Sequence, residues 1–329
     1  MNKVLAYMQL LRLPNVFTAM SDIFMGFLIA HGSLFPWSEF VPLLVASSCI
    51  YLAGMVLNDW FDIEVDRRER PQRPLPSGRV AARHALLLGL VLLFAGGLAA
   101  TFVGSTSRNV ALILIAAVVA YDGILKQTLL GGAVMGLCRT LNVLLGMSSL
   151  PGAIWIPFAQ PDVPMAWRLG TMVAVGVGLY IWGVTRLAGS EVTGVSTSQV
   201  SITMGFNIGL LLFAYVAHIA GRFGVVYVGE ETPYWIKVYL DASIESRTQA
   251  FYAGVIIWGA VVLVTNFMVC RAITGEGPVK VQQAVKTCIV ALIGLDAAAV
   301  AFVNGPLWAG AVLLLLLPTL FLGRWVYST

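Results

Sequence analysis

Ten apolar stretches recur along the chain, at 14–30, 40–56, 84–102, 110–125, 131–150, 168–185, 202–220, 252–270, 285–303 and 307–322. Crossing a hydrocarbon layer about 30 Å thick takes about 17–25 such residues, with some tolerance at the ends. In lipid every backbone N–H and C=O must find a partner within the protein, and a helix satisfies all of them locally. The pattern therefore predicts an all-α fold, a polytopic transmembrane helix bundle with about nine spans, or ten if 307–322 crosses fully. Composition agrees: 59% of residues are hydrophobic and 11% charged, against about 25% charged in soluble proteins. No linker or soluble domain interrupts the series, so 1–329 reads as a single integral-membrane domain. The first apolar run starts near Val16 and contains Asp22, which suits a retained span better than a signal peptide.

Charge distribution sets the orientation. With the N-terminus cytoplasmic, 14 of the 20 Lys and Arg residues fall in inside segments, as the positive-inside rule requires. The net charge of +4 is small and gives no footprint for nucleic acid. The four cysteines, Cys49, Cys138, Cys270 and Cys288, are far apart and form no metal or redox spacing.

The densest polar run follows the second span: Asn58-Asp59-Trp60-Phe61-Asp62-Ile63-Glu64-Val65-Asp66-Arg67-Arg68-Glu69-Arg70-Pro71-Gln72-Arg73-Pro74. Asp59, Asp62 and Asp66 stand at i, i+3 and i+7, which puts three carboxylates on one helix face with Asn58 at its border. Like charges at that spacing repel, and a hard cation such as Mg²⁺ offsets the repulsion, typically together with substrate phosphates. Arg67, Arg68, Arg70 and Arg73 then supply side chains suited to phosphate oxygens. A solvated loop would explain the arginines but not three acids in register.

Three further polar places stand out. Tyr121 to Lys126 closes the fourth span, where Lys126 either snorkels or contacts a diphosphate. Arg139 and Asn142 share a face of the fifth span, read either as helix–helix hydrogen bonding or as the wall of a polar cavity on the acceptor side. After the sixth span, a polar loop carries Arg186 and Glu191.

At these residues the chain resembles the UbiA superfamily of intramembrane prenyltransferases. Asn58-Asp59-x-x-Asp62-x-x-x-Asp66 is similar to the family's first aspartate-rich motif, and Arg73-Pro74-Leu75-Pro76-Ser77-Gly78 to its continuation. Tyr121 and Lys126 look like its tyrosine–lysine segment. The resemblance implies a central cavity open to lipid and a polyprenyl diphosphate donor held through Mg²⁺. It also implies transfer of the prenyl group to an aromatic or other lipophilic acceptor. Carried over residue by residue, it makes Asp59, Asp62 and Asp66 the catalytic metal ligands, and Arg73 and Lys126 diphosphate contacts. Asn58, Arg139 and Asn142 line the substrate cavity. The family's second acidic motif is altered. Anchored on Gly194, Arg186 and Ser190 stand at its acidic positions, with Glu191 adjacent. Glu191 is then the remaining metal ligand and Arg186 a direct diphosphate contact. The expected place is a cell membrane of bacterial or archaeal type, with membrane lipids around the bundle and the site facing the cytoplasm. The alternative is a non-catalytic isoprenoid-diphosphate or lipid binding or transport protein built on the same fold. A generic transporter would carry its polar site near the membrane midplane.

Overall fold

The computed structural model describes residues 3–150, 165–193, 244–274 and 278–326, and all regular structure among them is helical. In order these are α1 (Lys3–Leu10), a 3₁₀ turn (Leu13–Asn15), α2 (Val16–His31), α3 (Trp37–Phe61), α4 (Ile63–Glu69), α5 (Ala82–Thr101) and α6 (Ser105–Ala120). There follow a π turn (Tyr121–Leu125), α7 (Gly131–Met147), α8 (Met165–Thr193), α9 (Ile244–Thr274), α10 (Pro278–Asn304), α11 (Pro306–Leu313) and α12 (Leu316–Trp325). Eight helical segments among the described residues are long and apolar enough to cross a membrane, and α7 is a ninth, shorter apolar helix. Nine of the ten expected spans fall on these helices; 202–220 lies outside the described residues, as does the Gly205/Gly209 spacing within it. The large apolar side chains left exposed on the outer helices, Phe94, Leu263 and Phe321 among them, face lipid. The protein is an integral membrane protein.

Local chemistry explains the departures from ideal spans. α7 stops at Met147, three residues before the Leu150-Pro151 pair, because the residue before proline avoids the helical region. The last span is two helices, broken at Leu314–Leu315. Pro318 has no N–H for the Leu314 carbonyl four residues back, and its ring crowds that carbonyl; Leu317 N donates to it instead at 3.1 Å. The segment expected as a loop after the sixth span is helical, since α8 runs on to Thr193. Arg186 and Ser190 therefore stand one turn apart on a helix.

α2 lies in the interior and packs on α3, α7, α8 and α10. Glycine makes its contact with α7 a backbone contact. A Cβ at Gly26 would run into the Val143 carbonyl oxygen, and one at Gly146 would lie 2.9 Å from that of Ile23. Small residues at such crossings let helices in lipid gain van der Waals contact where no hydrophobic drive exists. α7 meets α8 in the same way through Gly136 and Gly178.

A second, smaller apolar cluster sits beneath the end of α3. Ala6 and Leu10 of α1, Val56 of α3 and Ala85 of α5 enclose Leu75 and Val80 of the loop after α4. Gly78 turns that loop at φ +72°, a conformation glycine adopts without strain. The cluster pins the loop against the bundle, and with it Arg73, only 6% exposed.

Candidate active site

The polar run after α3 closes on itself through ion pairs. α3 ends at Phe61 and α4 restarts at Ile63, with Asp62 between them at φ −88°, ψ 2°. Hydrogen bonds from Asp62 N to Asn58 O (3.1 Å) and from Asp66 N to Asp62 O (2.8 Å) carry the helical register across the break. The expected face thus persists, slightly bent. Asp59 and Asp66 lie on either side of Arg73, whose Nη1 is 2.8 Å from Asp66 Oδ2 and 3.5 Å from Asp59 Oδ1. Arg12 adds a second cation, its Nη2 donating to Asp59 Oδ1 at 2.9 Å. Asp62 turns to Lys126, whose Nζ lies 2.5 Å from Asp62 Oδ1 and 3.4 Å from Asn58 Oδ1. Arg67 only pairs with Glu64 on the surface.

Asn58, Asp59, Asp62, Asp66, Arg73 and Lys126 therefore form one rim at the end of α3. Arg186 is exposed on α8. A Cβ at Gly132, in the first turn of α7, would stand 3.7 Å from its Cδ, so Arg186 lies beside the start of α7, not far along the chain from Lys126. The side chains of Ser190 and Glu191 lie outside what the structure describes. Among the described residues, no three His, Cys, Asp or Glu side chains converge as a ready metal cage. The rim nonetheless fits Mg²⁺ by its donor set: it offers oxygen ligands alone, and the bases now holding the acids are of the kind that contact phosphate.

Behind the rim opens a cavity of about 310 Å³. Its apolar wall includes Ile50, Leu114, Val118, Met135, Ile181 and Ile289; its polar groups include Arg12, Ser47, Tyr51, Tyr121, Asp122, Arg139 and Asn142. The two readings of Arg139 and Asn142 are joined here, because both side chains line the cavity and both bond to α2. Arg139 Nη1 donates to Asp22 Oδ2 at 3.0 Å and to Thr18 O at 3.1 Å, and Nη2 donates to Thr18 Oγ1 at 2.9 Å. Asn142 Nδ2 donates to the same Asp22 oxygen at 2.8 Å, and Asn142 Oδ1 accepts from Ser47 Oγ at 2.7 Å. The Arg139 guanidinium also stands over the Tyr51 ring, 5.4 Å from its centroid, a cation–π arrangement. Ser21 Oγ donates to Asp296 Oδ2 at 2.5 Å, which ties α10 into the network.

Sequence reasoning missed Arg12, Asp122 and Asp296. Arg12 counted only as positive charge near the N-terminus, and its partner is 47 residues away. Asp296 carried a usable signal as a lone acid within an apolar run. Such residues face the bundle interior and find partners there.

A helix bundle of membrane-spanning length with an acid-and-base rim beside an internal cavity is the architecture of an intramembrane enzyme. The chain belongs to the UbiA prenyltransferase family, whose model matches residues 19–243, and it is a prenyltransferase. It is 31% identical over 259 residues to a digeranylgeranylglyceryl phosphate synthase of Sulfolobus acidocaldarius, covering 75% of this chain and 91% of that one. To the Ignicoccus hospitalis protein of the same name it is 27% identical, covering 89% and 91%. The fold is that of a UbiA homolog from Archaeoglobus fulgidus solved with GPP and Mg²⁺, with TM-score 0.56, 15% identity, and 91% and 99% of the two chains covered.

Proposed function

We propose that the chain transfers a polyprenyl group from an isoprenoid diphosphate to a lipophilic acceptor inside the membrane, with Mg²⁺, at the cytoplasmic side. The observation that carries this reading is the rim of Asn58, Asp59, Asp62, Asp66, Arg73 and Lys126 next to a largely apolar cavity, joined to it by Arg12, which lines the cavity and pairs with Asp59. The whole chain acts as one unit in this reading, since the rim draws on α3, α4, the loop after α4 and the turn after α6.

Transfer requires the C1–O bond of an allylic diphosphate to break, leaving negative charge on the diphosphate. Asp59, Asp62 and Asp66, with Asn58, would hold Mg²⁺, which supplies charge neutralisation on the leaving group. Arg73 and Lys126 turn from these acids to the diphosphate oxygens, donating where charge grows. Arg186 adds a guanidinium on α8 at the position where the family resemblance expects an acid, and Glu191 stands five residues on. The apolar wall holds the isoprenoid, each buried methylene contributing about 0.8 kcal/mol. It also keeps water from the cationic allyl carbon.

The acceptor has two candidates of different chemistry. The family resemblance favours an aromatic ring. The relatives' name points instead to a glyceryl phosphate already bearing one geranylgeranyl group. Membranes containing the protein, given labelled geranylgeranyl diphosphate, Mg²⁺ and each acceptor in turn, decide between them. Asp62→Ala abolishes transfer in this reading; full activity in that variant would sink it.

A further inference from the structure

Two acids meet in the middle of the bundle with one base beside them. Asp22 is the central residue of the span Leu13–His31, and Asp296 reaches it from α10; both are fully buried. Their carboxyl groups stand within hydrogen-bond reach of each other. Asp22 Oδ2 accepts from Arg139 and Asn142, and Asp296 Oδ2 accepts from Ser21. That leaves Asp22 Oδ1 and Asp296 Oδ1, both sealed from solvent and both without a donor. Arg139 of α7 is the cation facing the pair, and Tyr51 of α3 faces that guanidinium in turn. From α8, Tyr180 donates to the Cys288 carbonyl, about two turns before Asp296 on α10. The lining of the cavity stops short of both acids.

Charge and hydrogen bonding ask for the same remedy. With both acids ionised, one arginine leaves a net negative charge at the bundle centre, where charge is expensive. Two carboxylates in contact also repel, so they do not both ionise readily. Buried acceptors without a donor add a further cost. A single proton answers all three, because it makes one carboxyl a neutral O–H donor and the other its acceptor. The partners say which one carries it. Asp22 receives a guanidinium and an amide, the company an anion keeps. Asp296 receives a hydroxyl from Ser21 and stands as the other acid's neighbour.

We infer that the pair is a proton-binding site, in which Asp296 is a carboxylic acid that donates to Asp22. Asp22 then remains the anion that holds Arg139 and Asn142 at the cavity wall. The bound proton joins α10 to α2, and through Asp22 to α7. Asp296 is thereby a positioning residue for two side chains of the cavity, though it touches neither the cavity nor the rim.

The test uses the full-length protein in lipid vesicles at neutral pH, without substrate. The infrared difference between wild type and Asp296→Asn is expected to show the C=O stretch of a protonated carboxyl, present in wild type and absent from the variant. Asparagine imitates a protonated aspartate, since its amide can donate to Asp22 and its carbonyl can accept from Ser21. The thermal midpoint of Asp296→Asn is therefore expected within about 3 °C of wild type, and that of Asp296→Leu, which makes neither bond, lower by about 5 °C or more. An Asp296→Leu chain too unstable to isolate, beside a folded Asp296→Asn, is the same ordering. Midpoints in sodium, potassium and choline chloride at equal ionic strength are expected to agree. Turnover is the one arm that rests on the prenyl-transfer reading; it is expected to fall about tenfold or more in Asp296→Leu and less in Asp296→Asn. A carboxyl band that is missing from wild type, or that survives in Asp296→Asn, overturns the inference. So does an asparagine variant as unstable as the leucine one. Stabilisation specific to sodium and lost in Asp296→Asn overturns it in favour of a bound metal cation. Wild-type protein without turnover overturns the transfer reading, and the spectra still decide this inference.

Discussion

Arg12 Nη2 lies 2.9 Å from Asp59 Oδ1, and Arg12 makes that pair from a left-handed backbone conformation, φ 45°, ψ 46°. It is the only non-glycine residue with positive φ among those described. A side chain there costs about 1–2 kcal/mol, and such strain concentrates at functional sites. Arg12→Ala and Arg12→Gly are both expected to weaken donor binding by about tenfold, a typical effect for losing one charge-assisted contact. The glycine variant is expected to be the more stable of the two by about 1 kcal/mol. Donor titration and thermal unfolding in detergent check the two halves separately.

Asp22 is fully buried and neutralises Arg139. Removing one partner of a buried pair strands the other charge, at about 3–5 kcal/mol. Asp22→Ala is expected to show a loss of that order in thermal unfolding. Asp22→Asn is expected to lose less, because its amide oxygen still accepts from Arg139 and Asn142. The double change Asp22→Leu with Arg139→Met is expected to recover much of the loss seen in Asp22→Ala, and strict additivity would refute the coupling.

Lys126 holds Asp62 while Arg73 holds Asp66. Lys126→Ala frees the Asp62 carboxylate and removes a diphosphate contact. The expected result is a higher donor KM, by about tenfold or more, with Mg²⁺ still required. Chelation by EDTA is expected to abolish transfer in both proteins, and re-added Mg²⁺ to restore it. Unchanged KM would remove Lys126 from the donor site.

The α2–α7 contact leaves no room for a methyl group. Gly146→Ala brings a Cβ to 2.9 Å from the Ile23 carbonyl oxygen, a backbone atom that cannot turn aside. A loss of about 1–3 kcal/mol is expected, together with reduced turnover, because the same two helices carry Asp22, Arg139 and Asn142. Gly310→Ala, where nothing lies within 4 Å, serves as the control and is expected to leave stability nearly unchanged.

How far the sequence alone reached follows from the range of each interaction. The spans are legible because crossing lipid imposes a local requirement on about 20 consecutive residues. The acid rim is legible because helical spacing of Asp59, Asp62 and Asp66 is also local. The break at Leu314–Leu315 was readable from Pro318 but hidden by the leucine tract around it. The partners of these acids were not legible. Arg12 meets Asp59 and Lys126 meets Asp62 only because α1, α3 and α6 end side by side, and that juxtaposition leaves no trace in spacing. Asp122 stood within the quoted tyrosine–lysine segment, yet the burial of its Oδ2 without a hydrogen-bond partner is a property of the folded cavity alone.

The Asp22–Arg139 pair bears on how the protein is made. The two residues are separated by 117 positions. At about 5–20 residues per second of synthesis, roughly 6–23 s pass between them. During that interval α2 occupies the bilayer with an uncompensated acid, at about 2.5–3.5 kcal/mol on insertion scales. The apolar residues of α2 must cover that deficit alone. Arrival of α7 then supplies the partner for this acid, and α2 becomes the best-buried of the described candidate spans. Asp22 thus places on α2 an insertion cost that only the fifth hydrophobic segment, through Arg139, relieves.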